Sequence, residues 1–312
     1  MKFRTEIHLP PSAFPVSHSH KIMTMGSCFA ENISGCLKQS GFRVDSNPFG
    51  ILYNPASLAQ SLYRLMDRKL FTEDEVFLSD GVYSSFWHHS RFSEENSESF
   101  LSEVNTRLQE SSAFLREAKL LILTFGTSYV YRLKDSGQVV SNCHKLPADR
   151  FLHQRLSPEE ITREWQQLIG DLRAFNPELR ILFTISPIRH WKDGAHENQL
   201  SKSVLLLSAD EIIRENAHCC FYFPSYELLL DDLRDYRFYA EDLLHPSDQA
   251  IEYIWEKFSA CFFSSETQAL IKEWESIQRD LNHKPFHPES ETYLRFRENA
   301  EEREAAFRRR FA

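Results

Sequence analysis

The sequence contains no run of eighteen or more apolar residues, so no segment of it is long enough to cross a bilayer as a helix. The opening stretch Met1-Lys2-Phe3-Arg4-Thr5-Glu6 lacks the apolar core of a secretory signal, and a cytoplasmic location is expected. No two cysteines stand in a C-x-x-C spacing. The six present (Cys28, Cys36, Cys143, Cys219, Cys220 and Cys261) are scattered through apolar or motif-like contexts, which predicts free thiols rather than a disulfide framework. No Gly-x-Gly-x-x-Gly or phosphate-loop pattern follows any apolar run, so no nucleotide or other cofactor is expected. His283 and His287 have the spacing of two metal ligands, but Pro285 interrupts any helix that would align them, and no metal site is expected. Basic residues are outnumbered, 36 against 45 acidic, and the net charge of −9 disfavours a nucleic-acid partner.

What the chain does have is an ordinary globular composition. Its 312 residues are 42% hydrophobic and 26% charged, with 25 phenylalanines, enough for a sizeable core. Short apolar runs at 21–25, 42–45, 120–125, 181–185 and 219–223 have the length of buried strands, and each ends in glycine, proline or asparagine turn chemistry. Between them, helical patterns fall at 29–39, 56–68, 97–118, 158–175 and 199–216, followed by two more at 249–263 and 266–280. This alternation predicts an α/β fold with a five-stranded parallel sheet covered by helices on both faces. Ser157-Pro158-Glu159-Glu160 is a helix start, with a capping serine and proline in the first turn. Ile251, Ile254, Trp255, Phe258 and Phe262 recur on one core-facing stripe.

Two segments interrupt the alternation. Residues 76–92 and 129–142 each place turn residues between apolar arms and read as inserted β-hairpins that wall a pocket. Tyr83, Phe86, Trp87, His88 and His89 on the first are aromatic-pocket candidates, ordinary hairpin packing being the plainer alternative. The chain divides at about 263 into a main domain (1–263) and a charged helical extension (264–312). The extension packs on the main domain or projects from it; its tail from about His283 onward is highly charged, ends in Arg308-Arg309-Arg310 and reads as an exposed helix rather than a second core.

In an open parallel sheet, ligands bind beyond the carboxyl ends of the strands. The first strand ends in Gly26-Ser27-Cys28-Phe29-Ala30, where a glycine turns the chain into a helix and leaves a hydroxyl and a thiol at the helix start. A helix N-terminus favours thiolate, though a small-residue turn with a tucked-in thiol would read the same way. Asp242-Leu243-Leu244-His245-Pro246 precedes a later helix. An aspartate three residues before a histidine can accept the imidazole Nδ1 proton and leave Nε2 as a base, while a capping aspartate beside a surface histidine is the plain alternative. Parallel topology brings both ends to one edge, where they supply nucleophile, base and orienter.

The Gly26–Ala30 stretch resembles the signature of the GSCFA family, a branch of the SGNH (GDSL-like) hydrolase superfamily. Residues 47–55, 126–128, 142–145, 186–190, 197–202 and 242–246 also resemble it, over roughly residues 3–263. The resemblance implies a flavodoxin-like three-layer α/β/α sandwich and an esterase or acyl-transfer site, with no particular substrate attached. In the superfamily the first strand is followed by Gly-Asp-Ser. Anchoring on the glycine places Cys28 on the nucleophile, and sliding by one residue makes it Ser27 instead. Asp242 and His245 match the last block. The implied oxyanion donors are the nucleophile's own N–H, Gly50, and a third position that falls on Ser128. That serine departs from the family asparagine, so its hydroxyl or Asn54 has to supply the third donor. Losing one such donor typically costs about 100- to 1,000-fold in rate.

Thr127, His144 with Lys145, and Arg189 with His190 are candidate contacts for an anionic or sugar-like substrate group, with loop anchoring as the alternative for the last two pairs. The expected activity is ester hydrolysis or acyl transfer on an acylated carbohydrate or small metabolite. A non-catalytic module that binds a glycan or acyl group on the same fold is the alternative.

Overall fold

The computed structural model describes residues 4–311; Met1, Lys2 and Phe3 of the opening stretch, and Ala312, lie outside it. In chain order the strands are β1 (Lys21–Gly26), β2 (Arg43–Ser46), β3 (Phe77–Ser79), β4 (Val82–Ser84), β5 (Leu120–Phe125), β6 (Tyr129–Leu133), β7 (Val139–Val140), β8 (Phe151–Arg155), β9 (Arg180–Ile185) and β10 (Cys220–Tyr222). The helices are α1 (Cys28–Gln39), α2 (Pro55–Asp67), α3 (Ser97–Glu117), α4 (Pro158–Phe175), α5 (Gly194–Glu215), α6 (Ser225–Glu227), α7 (Asp248–Phe262), α8 (Ser265–Leu281) and α9 (Glu291–Arg309).

Strands β2, β1, β5, β9 and β10 lie side by side in that order, all parallel. Counted among themselves they run 2-1-3-4-5, the flavodoxin-like order. The sheet is buried on both faces because its strands are apolar at consecutive positions, and the pleat sends alternate residues to opposite sides. Met23, Met25, Leu121, Leu123, Ile181 and Phe183 join α2, α3, α4 and α5 in one core. Their neighbours Ile22, Leu120, Ile122 and Leu182 pack with α1 and α7 in the other. The chain is thus the three-layer α/β/α sandwich expected from its sequence. On the α7 stripe, Ile254, Phe258 and Phe262 are buried, each such side chain contributing about 1.5–3 kcal/mol. Ser157 caps α4 and forms a reciprocal capping box with Glu160.

Three elements differ from the sequence reading. Helix α5 begins at Gly194 rather than at 199, because Gly194, at φ 85°, carries a short 3-10 turn directly into the helix. The second hairpin is a three-stranded sheet in which β8 pairs with β6. Its short, largely polar sequence carries little strand signal, and the pairing partner supplies what propensity does not. The charged tail is not simply exposed: Phe307 and Ala300 of α9 are buried, and Phe307 joins Trp274 and Ile277 of α8 in a small core of their own. That pair seats on the sandwich where Trp274 covers Gly41 and Phe307 meets the edge of His18. Among the described residues no helix is long and apolar enough to cross a membrane.

Candidate active site

Strand β1 ends at Gly26 with φ 146°, and a Cβ there would lie 2.4 Å from the Thr124 carbonyl oxygen of β5, so only glycine permits the turn. The Gly26 N–H donates to Asn47 Oδ1 at 2.9 Å, and its carbonyl accepts from the Leu52 N–H at 3.0 Å. Ser27 caps α1, buried, with its hydroxyl oxygen accepting from the Phe29 N–H at 3.3 Å. Cys28 is the first residue of the helix. Its half-buried Sγ stands 3.8 Å from the Tyr53 hydroxyl. Burial, and then the neighbouring Cys28, push the Tyr53 phenol above its ordinary range, so it stays protonated and can donate. The Tyr53 carbonyl accepts from the N–H groups of both Gly126 and Thr127, at 2.8 and 2.9 Å, which stitches the loop after β2 to the end of β5.

The residues that precede α7 form a tight loop, closed by a bridge between Tyr239 and Pro246 and by the Ala240 N–H donating to the His245 carbonyl at 2.8 Å. Leu243 turns it with φ 58°. Asp242 Oδ1 accepts from the backbone N–H groups of Leu244 and His245, both at 2.9 Å, and Oδ2 faces His245 Nδ1 at 2.5 Å. These backbone donors, followed by the imidazole, hold the Asp242 carboxyl at about 2. The ionised carboxylate can only accept, so in the neutral ring Nδ1 carries the proton and Nε2 the lone pair.

His190 stands at the same edge. Its N–H donates to Asn198 Oδ1 at 3.0 Å, and its ring meets Tyr53 edge-on with centroids 5.2 Å apart. Its buried Nε2 has no hydrogen-bond partner among the described residues. A Cβ built on Gly126 would fall 3.1 Å from that nitrogen and 3.4 Å from Ser27 Cβ, which places the imidazole close to the Gly26–Cys28 turn. Burial, then the charges of Lys202 and His245, push the ring down to about 3, so it is neutral at ordinary pH. Among the described residues no hydrogen bond joins His245 to Ser27 or Cys28: the His245 ring is held by Asp242, and Cys28 faces Tyr53.

The other sequence candidates separate into two groups. Asn54 caps α2 through Oδ1, which accepts from the Ser57 N–H at 2.8 Å, and it borders the same cavity as Thr127 and His190. Ser128 donates both its N–H and its hydroxyl to Ser201 Oγ, at 2.8 and 3.1 Å. The Gly50 N–H donates to the Asn47 carbonyl at 2.8 Å, and its α-carbon is pressed against His89. His144 is turned away, its Nε2 on the Ser85 carbonyl at 2.8 Å, as loop anchoring requires. On the first hairpin His88 is buried and stacked on Phe49, and of that aromatic set only His89 borders the cavity.

Sequence reasoning placed residues 197–202 among the stretches that resemble the family but gave no role to the side chains there that brace this edge. Lys202 is fully buried, and its Nζ donates to the carbonyls of Gly126 and Ser186, at 2.6 and 2.7 Å, clamping the ends of β5 and β9 together. Asn198, Ser201 and Lys202 stand at i, i+3 and i+4 on α5, all buried and all bonded to strand-end loops. That polar stripe on an otherwise apolar helix face was the signal available. Tyr53 falls in the family-like stretch 47–55, but nothing there showed its role, which depends on where the loop after β2 crosses Cys28.

A family model described as the GSCFA family matches residues 21–258. This chain belongs to the GSCFA family. A second, the GSCFA domain protein C-terminal domain, matches residues 274–312, the part of the GSCFA chain that holds the second half of α8 and all of α9. No curated protein matches it in sequence. Among solved structures it is similar to a Clostridium thermocellum family 3 carbohydrate esterase, with 12% identity, a TM-score of 0.37, and 81% of this chain and 97% of the other covered. It is also similar to a family two carbohydrate esterase from the same organism in complex with cellohexaose, at 12% identity and a TM-score of 0.39, covering 80% and 65%. An acetyl xylan esterase from the rumen bacterium Butyrivibrio proteoclasticus matches at 13% identity and 0.32, covering 67% and 56%.

Two cavities of the GSCFA protein share the segment around His190. One, of about 510 Å³, is bordered by Tyr53, Asn54, Thr127, His190 and the β6–β8 sheet, whose Tyr129, His153 and Tyr131 form a stack of rings. The other, of about 470 Å³, is bordered by Arg189, Trp191, Tyr239 and the Asp242–Leu244 stretch. Alternation along the chain sends Arg189 and Trp191 to one cavity, and His190 and Lys192 to the other.

Proposed function

We propose that this GSCFA protein is an ester hydrolase or acyltransferase in which Cys28 attacks the acyl carbonyl, His245 moves the proton and Asp242 orients His245. One observation carries the reading. His245 Nδ1 sits 2.5 Å from an ionised Asp242, which leaves Nε2 of the neutral ring as a base, and the reading takes this loop to face the end of β1, as the carboxyl edge of a parallel sheet favours. Cys28 is favoured over Ser27 because its thiol is half-accessible and faces a phenol donor, whereas the Ser27 hydroxyl belongs to a buried residue and is engaged in capping.

Nε2 takes the Sγ proton as sulfur bonds to the carbonyl carbon. The tetrahedral oxyanion collapses, and the departing alkoxide takes the proton back, leaving a thioester on Cys28. Water or an acceptor alcohol then attacks, giving its proton to Nε2, which returns it to sulfur as the acyl group leaves. The N–H of Cys28 is one of the helix-start donors without an intrahelical acceptor, and with the Tyr53 hydroxyl it stands available for the oxyanion. The larger cavity, with its ring stack and its amide and hydroxyl groups, suits a polar alcohol such as a sugar.

The engaged donors of Gly50 and Ser128 favour a second reading, in which the same edge binds a glycan or acyl group without catalysis. Labelling with iodoacetamide and a fluorophosphonate, resolved by peptide, separates the two. Reaction at residue 28 that is lost in His245→Ala supports the enzyme; inert residues 27 and 28 support binding alone. Cys28→Ala and Ser27→Ala tested separately assign the nucleophile, and an esterase activity that survives His245→Ala overturns the triad.

A further inference from the structure

The smaller cavity lies against the base loop and differs in chemistry from the one that suits a polar alcohol. Asp242, Leu243 and Leu244 border it on one side, and Leu230, Tyr236 and Tyr239 on another. Three of its bordering side chains are among the chain's large exposed apolar groups: Trp191 at 48%, Leu243 at 53% and Tyr236 at 75%. Scattered exposed apolar residues are ordinary, but three gathered around one concavity beside a candidate catalytic loop mark a binding surface. Core packing accounts for none of the three, since each leaves about half or more of its surface in water.

The cavity also contains charge. Arg189 borders it and has no ion pair or hydrogen-bond partner among the described residues, whereas the other charged side chains that border it are engaged: Arg234 with Asp231 at 3.0 Å, Asp235 with Arg237 at 3.9 Å and Asp242 with His245 at 2.5 Å. An apolar wall with one unsatisfied guanidinium fits an aliphatic chain ending in a carboxylate. A fatty acid has that form, and it is what hydrolysis of an acyl ester releases.

We propose that this cavity is the acyl-chain subsite of the GSCFA protein, so that it takes aliphatic acyl groups longer than acetyl, with the freed carboxylate held by Arg189. The inference rests on the esterase reading for its biological sense, but the binding itself does not depend on catalysis. An ester has two halves. The two cavities meet at the Arg189–Trp191 segment, with ring-stacked and hydroxyl-bearing walls for the alcohol on one side and leucine, tyrosine and tryptophan for the chain on the other.

The test uses decanoate and acetate as probes on the full chain, in a Ser27→Ala/Cys28→Ala variant that has no candidate nucleophile, with intrinsic tryptophan fluorescence and thermal shift as readouts. Decanoate is expected to bind saturably and acetate not to. Tyr236→Ser, and Leu243→Asn, whose side chain tolerates a positive φ, are each expected to weaken decanoate about tenfold, the loss expected for part of an apolar side chain's contact. Decanoate binding no better than acetate, or binding unchanged in both variants, overturns the subsite. Decanoate binding in a protein whose wild type hydrolyses neither p-nitrophenyl decanoate nor p-nitrophenyl acetate keeps the subsite and removes the esterase reading. Hydrolysis of acetate esters without decanoate binding does the reverse.

Discussion

Tyr53 is the residue on which the chemistry of the proposed reaction turns most directly. Its hydroxyl is 3.8 Å from Cys28 Sγ, and burial keeps it a donor across the physiological range. In the proposed mechanism it takes over the third oxyanion position, because Ser128 has given both of its donors to Ser201. Tyr53→Phe removes one hydroxyl and leaves the ring against His190. The expected result is a fall in kcat of about 100-fold with KM little changed, the signature of a donor used chiefly in the transition state. A steady-state comparison on one ester checks it, and a variant in which KM rises while kcat holds would assign Tyr53 to ground-state binding instead. His190, pushed to about 3, adds no titration near neutrality, so a pH–rate profile above that range does not report it. Asp242 is ionised down to about 2, and its share of stability, present above the ordinary aspartate range, is lost only as pH falls through that low value.

At the scale of elements, α5 does more than cover the sheet. Its buried stripe of Asn198, Ser201 and Lys202 bonds the loop after β9, the loop after β5, and the ends of both strands. Replacing Lys202 with methionine keeps the volume but leaves two buried carbonyls without a donor, each at about 1–3 kcal/mol. A stability loss of about 2–6 kcal/mol is therefore expected in urea denaturation, with any esterase activity falling alongside. The pH dependence has the opposite sense. Burial, then the charge of Arg189, pull Lys202 down to about 7, so between that value and the ordinary lysine range the unfolded chain binds more protons than the folded one. Wild-type stability should accordingly rise with pH from neutral into the alkaline range. The rise should be smaller in Lys202→Met; equal slopes in the two proteins would place the titration elsewhere.

Across the whole molecule, the sandwich and the C-terminal pair meet at Gly41, whose positive φ of 85° brings the backbone against the Trp274 ring. A Cβ there would fall 2.8 Å from the indole. His18 completes the joint, stacked on Phe42 at 4.2 Å and edge-on to Phe307. Trp274 is 3% exposed, so Trp274→Ala is expected to cost about 3–5 kcal/mol and to loosen α8 and α9. Hydrogen exchange reads this directly: faster exchange confined to α8 and α9 would show that the pair opens separately from the sandwich, and faster exchange throughout would show one cooperative unit. We propose on these contacts that the segment beyond residue 263 is an appendage stabilised by the main domain.

The sequence by itself determined what short-range pattern can specify. Consecutive apolar runs specified strands buried on both faces, helical stripes specified the layers, and Gly26 specified a turn that a side chain would block against Thr124. The Asp242–His245 contact spans three residues and closes within one loop, so it too was legible. Tertiary structure decided which donors remain free. Ser201 lies 73 residues from Ser128 and Lys202 lies 76 from Gly126, and no local pattern says that these atoms meet. The same holds for Tyr53 over Cys28, for the strand β8 that only its partner makes a strand, and for the burial of Phe307 in a tail that reads as solvated. Hydrogen-bond satisfaction is settled by which groups packing brings within about 3 Å of one another, and that depends on the assembled layers rather than on neighbours along the chain.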